Sequence, residues 1–306
     1  MGRYLGQKSI SFILTALVVS LVTFLILQVL PGDPARLILG TEGSPQAYAR
    51  LREELRLDQP AGERYLQWLF AFGYGRWGTS LRYGLGVREL VGQALPLTLT
   101  IAVLAVGSAL AAAIPAGIYI AVRPGNWGAK GLSFLVQIGM ALPQFWVGIL
   151  LIQFLAVRHR LLPAGGREGP LAFVLPVLTL ALPRAAVLTR QVRAGTKEAL
   201  TQDYVRTARA KGLPERVVLF KHAFLNGVFG VLTVAGIQLA QLFAGTIVVE
   251  QVFGLPGLGQ LLLAGVFQRD LPLVQGIVMV VAVLILLLNW IHDLLLALLD
   301  PRLRYD

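Results

Sequence analysis

Residues 95–122 read LPLTLTIAVLAVGSALAAAIPAGIYIAV, 28 consecutive positions without one charged side chain. A helix rises 1.5 Å per residue and a bilayer core is about 30 Å thick, so roughly 20 such residues cross it. Five further long runs are predominantly apolar: about 9–30, 132–157, 171–192, 227–249 and 272–299. The 306-residue chain is 56% hydrophobic and 14% charged, whereas a soluble domain carries about 25% charged residues. Buried helices of a soluble protein would be shorter and would keep a polar face. The pattern predicts an all-α membrane protein with six transmembrane helices. The first run follows Arg3 and Lys8 but is longer than a secretory h-region and continues into PGDPAR, so it is read as an uncleaved span.

Orientation follows from Lys and Arg, which gather on the cytoplasmic side. With the N-terminus inside, the cytoplasmic segments hold fourteen: Arg3 and Lys8, Arg123 and Lys130, eight between Arg190 and Lys221, and Arg302 and Arg304. The two short outer loops hold only Arg158, Arg160, Arg167 and Arg269. Segment 31–94 holds eight more, but loops of that length translocate largely regardless of charge. Both termini are therefore expected in the cytoplasm. The formal charge of +11 is mostly this topology signal and does not argue for nucleic acid as a partner.

Two parts are expected: 1–94, the first span plus an extracytoplasmic helical region, and 95–306, a five-helix core with a cytoplasmic element at about 196–222. In the outer region Pro45–Leu57 and Glu63–Phe72 read as helices, and Tyr65, Trp68, Trp77 and Tyr83 as aromatics packing at the outer membrane surface. Pro115, Gly117, Pro143, Gly148, Pro176, Pro183, Gly230 and Gly236 punctuate the spans. Such breaks survive at membrane depth where the freed backbone is buried in protein or faces a wet cavity. The small residues from Gly107 to Ala113 permit close helix contact.

Segment 196–222 contains KEALTQDYVRTARAKGLP, the one long polar and basic stretch between spans. Leu200, Tyr204 and Ala208 recur every four residues as an apolar stripe. Lys211 suits the negative end of a helix dipole, Gly212 a left-handed C-cap, and Pro214 the first turn of a second helix over Glu215–His222. A loop merely resting on anionic lipid has no need of so sharply capped a corner. A docking element for a soluble partner fits better.

DYVRTARAKGLP resembles the coupling-helix motif of binding-protein-dependent ABC importer permeases, in their dipeptide/oligopeptide/nickel branch. The broader superfamily has Glu-Ala-Ala, three residues, then Gly; here Arg206, Thr207, Ala208 and Gly212 stand at those places, and Arg for Glu is usual in the peptide branch. LPGDPAR at 30–36, LRLDQP at 55–60, ALPQFWVGILL at 141–151, VVEQVFGLPGLGQLL at 248–262 and LLDPRLRY at 298–305 resemble the same branch in order.

The resemblance implies the type I importer permease fold in a bacterial or archaeal inner membrane. It implies a second homologous permease as heterodimer partner, two cytoplasmic ATPase subunits and an extracytoplasmic solute-binding protein, with membrane lipid around the spans. Asp203, Tyr204, Arg206, Thr207, Ala208, Arg209, Lys211 and Gly212 would meet the ATPase. The cargo implied is a di- or oligopeptide, with nickel chelates or oligosaccharides as alternatives. ATP and Mg would be used by the partners, and the chain itself needs no cofactor.

Polar residues in or near the spans are the pathway candidates, because such groups are expensive in the bilayer. They are Gln144, Gln238, Gln241 and Glu250, with Pro256 and Gly257 in a re-entrant turn that the resemblance makes part of an outer gate. Enzymatic readings lack residues. There is no G-x-x-x-x-G-K-[ST] and no G-x-S-x-G, and GLPGLG at 254–259 has the wrong spacing for a dinucleotide loop. His159, His222 and His292 are scattered with no H-E-x-x-H, and cysteine is absent, so no metal or catalytic residues are assigned. A secondary transporter would show mid-span acids for ion coupling, which are missing here.

Overall fold

The computed structural model describes residues 2–29, 44–54, 58–166 and 169–299. The motif at 30–36 lies outside them, as do 55–57 and 300–305 of two further motifs. Twelve α-helices are described: α1 Gly2–Val29, α2 Pro45–Glu54, α3 Ala61–Gly73, α4 Val87–Val122, α5 Trp127–Ala141, α6 Gln144–Leu151, α7 Val174–Leu200, α8 Asp203–Ala210, α9 Glu215–Val217, α10 Leu225–Phe253, α11 Leu258–Phe267 and α12 Leu271–Leu299. Five are long and apolar enough to span a membrane, or six when the bent pair α5–α6 counts as one crossing.

That pair is where the sequence expectation needs correction. A single helix over 132–157 is replaced by two pieces bent 110° at Leu142–Pro143. Proline has no N–H to donate and forces the residue before it out of the helical region; Leu142 accordingly sits at φ −76°, ψ 131°. Pro183 is accommodated inside α7, so proline alone does not decide a break. Past Leu151 the chain continues as a π-helical segment, Ile152–Arg158.

The chain divides into two compact units. The first comprises Leu97–Leu255 with the described residues from Leu288 onward. Its core is built from the buried residues Ile101, Ala105, Ala109 and Ala113 of α4, Leu175, Leu180 and Leu188 of α7, and Leu242 and Val249 of α10. The α4 alanines stand four apart and form one face, while Gly107, Ser108, Ala111 and Ala112 are exposed. Glycine allows the closest approaches. A Cβ on Gly195 would stand 2.6 Å from the Gly227 carbonyl oxygen, and one on Gly227 would stand 2.7 Å from that of Gly195, so α7 and α10 touch backbone to backbone. His292 fills the space over Gly236, a packing role.

The second unit comprises the described residues of Gly2–Pro96 and Pro256–Leu287. Val87, Val91 and Ala94 pack with Leu258, Leu273 and Ile277. Two of the aromatics expected at the outer surface hold α3 to α1: Tyr65 and Trp68 lie 5.5 and 5.9 Å from the Phe24 ring, and Tyr65 Oη and Ser20 Oγ share a 2.7 Å hydrogen bond. Trp77 stacks on Phe72 at 4.9 Å, whereas Tyr83 remains exposed. Buried Asp270 accepts from the Ser80 hydroxyl and the Arg82 and Leu273 amides, which ties the Gly-rich loop to the start of α12.

Candidate functional site

The polar segment after α7 folds as an elbow. Helix α7 ends at Leu200, Thr201 and Gln202 turn, and Gln202 is extended at ψ 152° before α8 begins with Asp203, an acid at the positive end of the helix. That turn resets the helical phase, so counting by four across it fails. The residues buried beneath α8 are Val205 and Ala208, packed with Ala199, Val218 and Ala223 and partly with Leu200; Tyr204 is 40% exposed. The stripe is therefore Val205 and Ala208, not Tyr204.

At the other end Gly212 has φ +74°, a left-handed conformation that costs other residues roughly 1–2 kcal/mol. Its N–H donates to the Arg209 carbonyl at 2.9 Å and the Leu213 N–H to that of Ala208 at 3.4 Å, the paired bonds of a Schellman cap. Arg209 bridges the corner, with Nη2 2.7 Å and Nε 3.3 Å from the Glu215 carboxylate. Glu215 opens α9 as expected, but the helix does not stop at His222: it passes through a π-helical segment, Val218–Phe224, directly into α10.

The Arg209 guanidinium holds the Glu215 carboxyl below its ordinary range, and the carboxylate raises Arg209 in turn. A depressed carboxyl pKa contributes stability above the unfolded-state value and loses it as pH falls through the depressed one. Both side chains are about half exposed, so the pair is worth about 0–1 kcal/mol. Glu215→Gln is expected to loosen the elbow by no more than that, read as faster amide exchange at residues 209–213. The difference from the unmodified chain should disappear in 1 M salt; a difference that persists there refutes the ion pair as its source.

Of the eight residues assigned to coupling, Asp203, Tyr204, Arg206, Thr207, Lys211 and Gly212 are exposed on the elbow. Asp203 and Arg206 pair loosely at 3.4 Å. Ala208 is 4% exposed and supports the elbow from within, and Arg209 is engaged with Glu215. The outward surface is thus narrower than the motif.

The pathway candidates differ in exposure. Gln238 is half-buried, Gln241 and Pro256 are exposed, and Gly257 is buried. Glu250 is fully buried, its Oε1 accepting from the Thr98 hydroxyl at 2.6 Å. Gln144 opens α6 and donates from Nε2 to the Gly245 carbonyl at 3.3 Å.

Beside Gln144 stands a residue that the sequence reading passes over, Arg184. It is 6% exposed, in the middle of α7. Its Nη1 donates to the Leu180 carbonyl at 2.8 Å and its Nη2 to that of Gln241 at 3.2 Å, and Nε has no partner among the described residues. The signal was present: Arg184 is the one Lys or Arg that the loop-by-loop account leaves unplaced. Elsewhere in this unit a cavity of about 220 Å³ is lined by Ser133, Gln137, Thr189, Arg190 and Arg193 among others.

With this geometry in view, the sequence relatives decide the assignment. Residues 113–305 match the family described as binding-protein-dependent transport system inner membrane component, and residues 1–102 match its N-terminal family. The chain belongs to this family. It is a multi-pass inner-membrane permease. The oligopeptide transport system permease protein AppB of Bacillus subtilis is 36% identical, with both chains covered completely. The glutathione transport system permease protein GsiC of Escherichia coli (strain K12) is 35% identical, again over both full lengths. Among solved structures, the permease resembles one from an inward-facing MetNI methionine ABC transporter, with a TM-score of 0.57 at 18% identity over 69% of this chain and 97% of that one. At that identity the likeness speaks for the fold.

Proposed function

We propose that this permease is one half of the translocation pathway of an ATP-driven importer for di- and oligopeptides. The observation that carries this reading is the elbow, a short helix with a polar outward face, a small apolar core of its own and a Schellman-capped corner. It is built to be gripped without deforming. Cytoplasmic ATPase subunits hold it, ATP closes them, and their differential ATP affinity for two arrangements of the bundle supplies the population shift. ATP and Mg are handled by those subunits. A second homologous permease completes the pathway, and an extracytoplasmic binding protein delivers the cargo. The peptide class is supported by relatives whose names specify oligopeptide or glutathione transport.

Both termini and the elbow lie in the cytoplasm on this reading, as the distribution of Lys and Arg argues. The absence of cysteine makes a direct test simple. A thiol at Lys211→Cys should react with an impermeant reagent only after cells are opened, and one at Tyr74→Cys, 81% exposed in the outer region, should react in intact cells. Reconstituted with its partner subunits and binding protein, the permease should accumulate peptide only with ATP. Labelling of Lys211→Cys in intact cells, or uphill uptake by this chain alone, would sink the proposal.

A further inference from the structure

Arg184 is a charged side chain buried within a span, and its hydrogen bonds to two main-chain carbonyls leave its charge unpaired among the described residues. At 1.5 Å per residue it lies about 20 Å along the span from Leu171 and about 9 Å before Arg190, within the crossing and on the cytoplasmic side of its centre. Its two hydrogen-bond acceptors are main-chain carbonyls, and among the described residues its Nε is orphaned and no carboxylate is within ion-pair distance. A buried ion pair can often be replaced by apolar residues of similar volume without loss of stability; a buried cation lacking even a counter-ion has less claim as scaffold. An ionisable group at that depth points to function.

A second feature converges on the same place. The break at Pro143 puts the N-terminus of α6 inside the membrane-crossing segment, with no side-chain cap. An interrupted helix presents the positive end of its dipole there, a recurring anion receptor in transport proteins. Gln144, the first residue of α6, and the Arg184 guanidinium meet over Gly245. A Cβ at position 245 would stand 2.7 Å from Arg184 Nη2 and 2.8 Å from Gln144 Oε1.

From these two observations we infer that Arg184, Gln144 and the N-terminus of α6 form an intramembrane carboxylate site, which takes the C-terminal carboxylate of a peptide in transit. The inference rests on the peptide reading above. Arginine receives a carboxylate in bidentate fashion, and the guanidinium exchanges its main-chain carbonyls for the substrate anion when the pathway opens. Gly245 lets the two side chains come against the α10 backbone, in the space that a Cβ there would fill.

The test uses the complete reconstituted transporter with one binding protein throughout, so a changed preference belongs to the permease. Maximal uptake rates are compared for a tripeptide with a free C-terminus and for its C-terminal amide. The unmodified transporter should move the free acid at least tenfold faster than the amide. Arg184→Met should bring the two within twofold while uptake of the amide persists, and Arg184→Lys should restore part of the preference. The purified Arg184→Met chain should melt no lower than the unmodified one. Equal rates for both peptides in the unmodified transporter, or an undiminished preference in Arg184→Met, overturns the carboxylate site. So does a lowered melting temperature with both uptakes lost in parallel, which makes Arg184 a structural clamp. Failure to transport any peptide overturns the peptide reading itself.

Discussion

Gly195→Ala should lower the thermal midpoint of the purified chain by the equivalent of about 1–3 kcal/mol, the usual cost of forcing extra volume into a packed interior. The added methyl would stand 2.6 Å from the Gly227 carbonyl oxygen. That atom belongs to a helical backbone and cannot swing aside as a side-chain tip does. Gly227→Ala meets the Gly195 carbonyl oxygen at 2.7 Å and its carbon at 2.8 Å and should behave alike. Gly195→Val, larger and β-branched, should leave little folded protein. Gly107→Ala supplies the control, because nothing lies within 4 Å of a Cβ there and alanine is the better helix former by about 1 kcal/mol. It should be neutral or stabilising. If all three alanine variants melt together, the backbone-to-backbone crossing is not what fixes α7 against α10.

The second large effect concerns the elbow. Reversing charge on its outward face, with Arg206→Glu and Lys211→Glu together, should cut peptide-stimulated ATPase activity and uptake in the assembled transporter by more than tenfold. Neither residue supports the corner, since the Schellman bonds are main-chain and the side-chain bridge belongs to Arg209 and Glu215. The variant should therefore insert and melt normally. Val205→Asp is the contrasting case. It places a charge at a position with 0% exposure beneath α8 and should make residues 200–215 a protease target while the spans remain folded. Full activity in the Arg206/Lys211 variant would remove the elbow as the transmission point.

The spans were legible because the bilayer imposes one requirement, and apolar length answers it. Their edges were not: α4 begins at Val87 rather than near 95, since its first two turns pack with Leu258 and Leu273 and no hydropathy run records that. The break in the third crossing was half legible. Pro143 was visible, but so was Pro183, and which proline bends its helix depends on what packs around it. In the elbow, Gly212 announced its left-handed turn through residue type, whereas the buried face was misassigned because the Thr201–Gln202 turn carries no glycine or proline to show that the phase restarts. Arg184 was hidden differently. A single charge scarcely alters the hydropathy of a long run, and its meaning lies in the absence of a nearby carboxylate, which requires three dimensions.

Val218 and Ala223 are both fully buried although five positions separate them. On an ordinary helix five steps of about 100° would turn them to different sides, and the wider π-helical winding of Val218–Phe224 is what aligns them. One surplus residue is thus absorbed as local widening and is not passed on as rotation. Excising it would bring the two side chains to a spacing of four on the common pitch, where they again share a side. The elbow would keep its heading, and the widened stretch acts as slack that swallows a one-residue difference in length.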